Sequence, residues 1–259
     1  MDTAIYFASD SLQLVRGTYG KGGALISGCD TVKLDEGILI NGVITDVDAM
    51  EQILWKLKNE GKIVGNVRVV IDSSSILTKR CVVPILSPAR LEIFTKEEFA
   101  NVDSNYQNLI HDYTVLERKK PGEDSGSILC CAMERAMVEK YIQLFAHIGV
   151  KIKTVDIALN CFLKVLREIP ALYNRTYIYS VIEGNMIVSA LFVDDIYMFS
   201  SRSKVMSERG TEGFINDILS RLSTLIQFNK SQKLGKDVEV AYFAGLNAKE
   251  MTFCNNLAG

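Results

Sequence analysis

The clearest pattern in the chain lies at residues 176–201, TYIYSVIEGNMIVSALFVDDIYMFSS, where apolar and polar positions alternate in three successive runs. The runs are Tyr177, Tyr179 and Val181, then Ile187, Ser189 and Leu191, then Ile196, Met198 and Ser200. Alternation with period two is the mark of a strand with one face buried. Glu183-Gly184-Asn185 and Asp194-Asp195 supply turn chemistry between the runs, so the stretch predicts a three-stranded antiparallel meander. The chain opens with the same layout: runs at 4–8, 12–17 and 24–27 are separated by Ser9-Asp10-Ser11 and by the glycine-rich stretch 20–23. Two copies of one meander predict a duplicated fold.

Between the copies the period changes. Residues 31–44 alternate weakly and carry turn signals at Glu36-Gly37 and Asn41-Gly42. Val47, Met50, Ile53, Leu54 and Leu57 then fall at helical spacing, with Thr45 or Asp46 as the cap and Gly61 as the stop. Residues 66–72, NVRVVID, predict a buried strand. From Ser73 the rhythm alters, and the elements predict a small inserted α+β unit. They are a strand at 78–83 ended by Pro84, a helix at 87–102 with Leu91, Phe94 and Phe99 inward, and a strand pair at 112–118 and 128–133. The pair is joined by KKPGEDSGS, whose composition predicts an exposed, mobile loop. A helix at 134–147, with Met137, Tyr141, Leu144 and Phe145 on one face, ends at Gly149. Residues 150–155 lead back to the main sheet, and an apolar helix at 156–167 stops before Pro170.

After the second meander, residues 211–232 form the strongest helical pattern, with Phe214, Ile218, Leu222, Leu225 and Phe228 as a core-facing stripe. Residues 238–244, VEVAYFA, predict a final buried strand, followed by a turn into another helix. The sheet then looks unfinished, which leads us to expect a piece of a longer protein.

Composition narrows the function. The chain has a formal net charge of −2 with its basic residues dispersed, so it carries no electrostatic footprint for nucleic acid. No window reaches the roughly 18 uncharged apolar residues of a membrane span. The first residues, with Asp2 and Asp10, do not read as a secretory signal, and a cytoplasmic location is expected. The cysteines, at 29, 81, 130, 131, 161 and 254, show no CxxC spacing and read as reduced core thiols. His111 and His147 are too few for a histidine metal site.

Several phrases, in their order, resemble the PilM family of type IV pilus assembly proteins and, more distantly, GspL-type proteins of type II secretion. They are VVIDSSSILTKRCVVPILSPARL, HDYTVLER, ERAMVEKYIQLFAHIGVKIKTVDIALNCFLKVLR and FNKSQKLGKDVEVAYFAGLNA. The resemblance implies an α/β, actin-like (ribonuclease H-like) fold of two lobes. Its parts would be a first lobe at 1–75, an inserted α+β subdomain at 76–153, a return helix at 154–175, and a second, truncated lobe at 176–259. It further implies a cytoplasmic scaffold, peripheral to the inner membrane. Such a scaffold holds the N-terminal cytoplasmic tail of a PilN-like inner-membrane protein and works beside other platform proteins and motor ATPases. The tail would lie in a groove bordered by residues 76–84 and 112–118, or add to a strand edge of the inserted subdomain.

In actin-like folds each lobe presents a hairpin turn with an Asp for Mg²⁺ or water and a Gly for close approach of phosphate. By resemblance the first-lobe positions are Tyr6 and Ala8, and the second-lobe positions are Ile182 and Gly184, with Glu183 one step away and Ala244-Gly245 where adenosine would lie. Both acidic positions are changed. Any remaining ATP·Mg site would draw on Ser9, Ser11, Glu183, Gly184, Asn185 and Gly245, and no catalytic residue or metal ligand is expected. The alternative is an actin-fold ATPase or sugar-kinase relative using Glu183 or, failing it, Asp10. A membrane-tethered FtsA-like polymer would need an amphipathic C-terminal helix that the sequence does not show.

Overall fold

The computed structural model describes residues 1–21, 23–84, 86–100, 106–117, 125–232 and 235–257. The chain forms two compact units, Met1–Phe162 and Leu163–Gly259.

The first unit is built on a five-stranded sheet. β1 (Asp2–Phe7), β2 (Ser11–Gly20) and β3 (Gly23–Lys33) form the antiparallel meander. β3 runs six residues past the end expected from alternation, because it is the sheet's outer strand and most of its side chains face solvent, leaving little apolar rhythm to read. The short pair β4 (Leu39–Ile40) and β5 (Val43–Ile44) turns through Asn41 and Gly42, both at positive φ, as the Asn-Gly dipeptide favours. The Asp46 carboxylate accepts from the Ala49 amide at 2.9 Å and starts α1 (Val47–Asn59). β6 (Val67–Ile71) then lies parallel to β1.

β7 (Leu77–Pro84), α2 (Pro88–Ala100), β8 (Leu109–Glu117) and β9 (Ser125–Glu134) make a separate sheet in the order β7-β9-β8, covered on one face by α2. Leu91 and Phe99 of α2 pack there with Cys81, Ile128, Cys130 and Ala132, while Phe94 is half-buried against them. The ends predicted at Val102 and Arg118, and most of the loop predicted between β8 and β9, lie outside the described residues. α3 (Arg135–His147), closed by Gly149 at φ +65°, and β10 (Ile152–Ile157) return the chain to the main sheet, where β10 lies parallel to β6. The order is therefore β10-β6-β1-β2-β3. Phe7 fixes this core, meeting Tyr141 edge-on at 4.8 Å and Phe145 at 6.3 Å. Full burial of one such side chain stabilises the unit by about 1.5–3 kcal/mol.

α4 (Ala158–Leu166) leads into the second unit, a sheet of β11 (Tyr177–Glu183), β12 (Met186–Val193), β13 (Ile196–Lys204) and β14 (Val240–Ala244) in the order β13-β12-β11-β14. β11 is antiparallel to β12 and parallel to β14, just as β1 is antiparallel to β2 and parallel to β6. The duplication read from alternation is thus a duplication of topology. Thr211 caps α5 (Glu212–Ser231), whose Phe214, Ile218 and Leu225 are buried and whose Leu222 and Phe228 are half-buried. β14, expected to be buried, is a half-buried edge strand, since among the described residues only β11 pairs with it. α6 (Ala248–Leu257) follows. Among the described residues no helix is long and apolar enough to cross a membrane. Cys81 and Cys130 are buried, Cys131 and Cys161 are half-buried, and Cys29 is exposed, against the expectation of a core thiol, because it lies on the outer strand β3.

Candidate functional site

The two hairpin turns are built to hold themselves. In the first unit the Ala8 amide donates to the Ser11 carbonyl at 2.9 Å, and the Ser11 hydroxyl donates to the Asp10 carboxylate at 3.1 Å. Ala8 is fully buried, Ser9 is half-buried, and Tyr6 brings no carboxylate to the turn. In the second unit Ile182 is buried in a cluster with Ile187, Phe214 and Ile218. Gly184, at φ +54°, turns the chain, and the carbonyl of exposed Asn185 accepts from the Val205 amide at 2.7 Å.

The pairing of Val181 with Ala244 brings Gly245 to the same sheet end as Glu183 and Gly184. Gly245, at φ +83°, packs so closely that a Cβ would stand 2.0 Å from the Ile182 carbonyl oxygen. Its own carbonyl accepts from Arg209 at 2.6 Å, and Arg209 in turn grips Glu250. Four of the six residues expected around a phosphate therefore share one end of the second sheet, whereas Ser9 and Ser11 belong to the β1–β2 turn of the first unit. Among the described residues no three His, Cys, Asp or Glu side chains group in a way that would hold a metal.

A different site stands out in the first unit. Side chains of β8 and β9 that face away from α2 pair across the strands as Ile110 with Met133, Asp112 with Cys131 and Thr114 with Leu129. With Val138 of α3, Val155, Asp156 and Ile157 of β10, and Asn160 of α4 they line a groove enclosing about 120 Å³. Small-molecule sites hold roughly 300–1,000 Å³, so this recess suits individual side chains of a segment laid across it. Two of the strands that line it are outer strands, β8 of the small sheet and β10 of the main one.

Each of these outer strands carries the same device. The Tyr113 amide donates to the Asp112 carboxylate at 2.7 Å, and the Ile157 amide donates to the Asp156 carboxylate at 2.9 Å. Asp156 also accepts from the Asn160 side-chain amide at 2.7 Å. Cys131 sits between these carboxylates, and burial first, then the field of Asp112 and Asp156, push its thiol up to about 12.

Sequence reasoning placed one border of the groove at 76–84. Of the two borders expected, residues 112–114 line this recess and 76–84 do not, since β9 stands between β8 and β7; the walls of the recess are β8, β9, α3, β10 and α4. Cys131, Val138, Asp156 and Asn160 were not anticipated there. The signal for the last pair was the spacing of Asp156 and Asn160, four apart where a strand passes into a helix.

A meander extended by a parallel strand, occurring twice in one chain with a small α+β module inserted in the first copy, defines an actin-like ATPase fold. Residues 4–179 match the family of type IV pilus assembly proteins PilM, and the chain belongs to that family. No curated protein matches it. Among solved structures, a PilM-PilN type IV pilus biogenesis complex is 13% identical, with 99% of this chain and 84% of that one covered at a TM-score of 0.78. A Bacteroides thetaiotaomicron protein of actin-like ATPase fold and unknown function is 11% identical, with 99% and 86% covered at 0.58. The cytoplasmic domain of EpsL, an inner-membrane component of the Vibrio cholerae type II secretion system, is 10% identical, with 95% and 85% covered at 0.53. These likenesses establish the fold, and they agree with the resemblance read from the four sequence phrases.

Proposed function

We propose that this chain is a scaffold of a type IV pilus platform on the cytoplasmic face of the inner membrane, and that its groove holds the N-terminal cytoplasmic tail of a PilN-like protein. The observation that carries this reading is the groove itself, apolar at its base and lined in part by two outer strands, in a family with a solved relative named as a PilM-PilN complex. An extended peptide needs backbone partners along its length and recesses for alternate side chains, and a strand edge beside an apolar groove offers both. Further platform proteins and motor ATPases would be reached through the assembled scaffold.

Nucleotide does not fit the residues present in the second unit. The position that would orient Mg²⁺ is the buried Ile182, and the backbone of Gly245 is taken up by the Ile182 carbonyl on one side and the Arg209 guanidinium on the other. We therefore read the protein as a non-hydrolysing member of the actin-like class.

The test is fluorescence anisotropy with a labelled synthetic tail of the PilN-like protein from the same organism. Saturable binding in the micromolar range is expected, weakened more than tenfold by Ile110→Asp and by Val138→Asp without loss of melting temperature. No binding to the folded chain at hundreds of micromolar would refute the reading.

A further inference from the structure

β8 is a nine-residue strand with β9 as its one strand partner among the described residues, and its Ile110, Asp112, Tyr113 and Thr114 line the groove. At its midpoint the Tyr113 amide donates to the side chain of its neighbour Asp112, which is exposed and forms no ion pair among the described residues. A carboxylate that caps an edge amide in this way blocks unwanted pairing, yet it holds by a single bond and leaves without disturbing the core.

The β10 edge is less open. The Asp156 carboxylate there is held by both the Ile157 amide and the Asn160 side chain, and the strand passes at once into α4. On the face of β8 opposite the groove lies a second, polar recess, to which Glu92, Thr95, Lys96, His111 and Arg135 contribute. Ile110, Asp112 and Tyr113 border both recesses, so the edge backbone runs between an apolar side and a polar one.

We propose that the occupant of the groove adds as a further strand to β8, its backbone replacing Asp112 at the Tyr113 amide and a cationic group of the segment pairing with the released carboxylate. This rests on the peptide reading of the groove and specifies its chemistry. Successive side chains of a strand point to opposite faces. The segment therefore alternates apolar residues facing Leu129, Met133 and Val138 with polar residues facing Lys96 and Arg135. It carries a lysine, an arginine or a free amino terminus beside Asp112.

The experiment combines a mutant cycle with a backbone scan of the synthetic tail. Asp112→Asn keeps an oxygen for the Tyr113 amide and should preserve the fold, which an unchanged melting temperature would confirm. It should weaken the parent tail about tenfold, and a tail with its basic residues replaced by norleucine less than twofold. N-methylation of single tail amides should cost more than tenfold at alternate positions of the bound stretch, and the Tyr113 amide should gain protection from hydrogen exchange in the complex. Equal losses for both tails overturn the cationic pairing. Tolerance of N-methylation at every position, with Tyr113 exchange unchanged, overturns strand addition while leaving the groove as the docking site. A parent tail that does not bind overturns the groove reading and this inference with it.

Discussion

Arg209 holds Glu250 by two parallel bonds, Nε to Oε1 at 2.9 Å and Nη2 to Oε2 at 2.7 Å, although the Glu250 side chain has no exposed surface. The carboxylate also accepts from the Asn247 amide at 2.8 Å while the Asn247 side chain accepts from the Glu250 amide at 3.0 Å, a reciprocal cap that starts α6. One side chain thus ties the helix start to the loop before α5. Removing Arg209 strands a buried charge. Because Arg209 itself is one-third exposed, Arg209→Met should cost about 2 kcal/mol rather than the 3–5 kcal/mol of a fully buried pair, read as a lower urea midpoint for the second unit.

The same pair sets a pH response. The Arg209 guanidinium holds the Glu250 carboxyl below its ordinary value of 4.5. A carboxyl depressed in the folded state contributes stability above its unfolded value and loses it as pH falls through the folded one. Thermal unfolding should therefore show an acid loss below about pH 4.5 that is smaller in Glu250→Gln.

Tyr141 tests the first core. Its hydroxyl, buried, donates to the Gly42 carbonyl at 2.8 Å. Tyr141→Phe leaves that carbonyl without a partner and should cost about 1–2 kcal/mol, seen as a lower melting temperature with unchanged circular dichroism. Burial pushes the phenol far above its ordinary range, so this residue should not ionise in a spectrophotometric titration to pH 11.

Gly245 decides how the end of the second sheet is built. A Cβ there would meet the Ile182 carbonyl oxygen at 2.0 Å, and the backbone is left-handed at φ +83°. Gly245→Ala should destabilise by about 1–3 kcal/mol in thermal unfolding. If the residue served nucleotide instead, Mg·ATP would raise the melting temperature of the parent protein, and we expect no rise at millimolar concentration.

The thiols should separate cleanly under alkylation. Cys29 is exposed, whereas burial pushes both Cys81 and Cys131 up to about 12, leaving them almost wholly protonated at pH 8. Brief iodoacetamide treatment followed by peptide mapping should find Cys29 modified and Cys81, Cys130 and Cys131 intact.

Much of the fold was written in local pattern. The meander of Tyr177 to Lys204, the helix capped by Thr211 and the stop at Gly149 follow from alternation, capping and positive φ, which are properties of a few neighbouring residues. What stayed hidden depends on neighbours distant in sequence. The length of β3 and the half-burial of β14 are set by position at a sheet edge, which alternation does not encode. The groove is harder still, because Cys131, Val138 and Asp156 meet only after β9, α3 and β10 have packed, and each alone reads as ordinary core or surface. The family resemblance supplied the notion of a groove, and the strand order shows that the recess described above is lined by β9 and not by β7.

The hydrogen bond from Tyr113 to Asp112 has a consequence for the protein as a solute. A nine-residue outer strand with an apolar face is a template on which further copies of the chain stack into insoluble sheet. A negative charge seated on the edge repels a second identical strand, since two Asp112 side chains would be brought together by symmetric pairing. Asp112→Asn should then promote self-association, because it removes that repulsion, and light scattering of concentrated protein would register it.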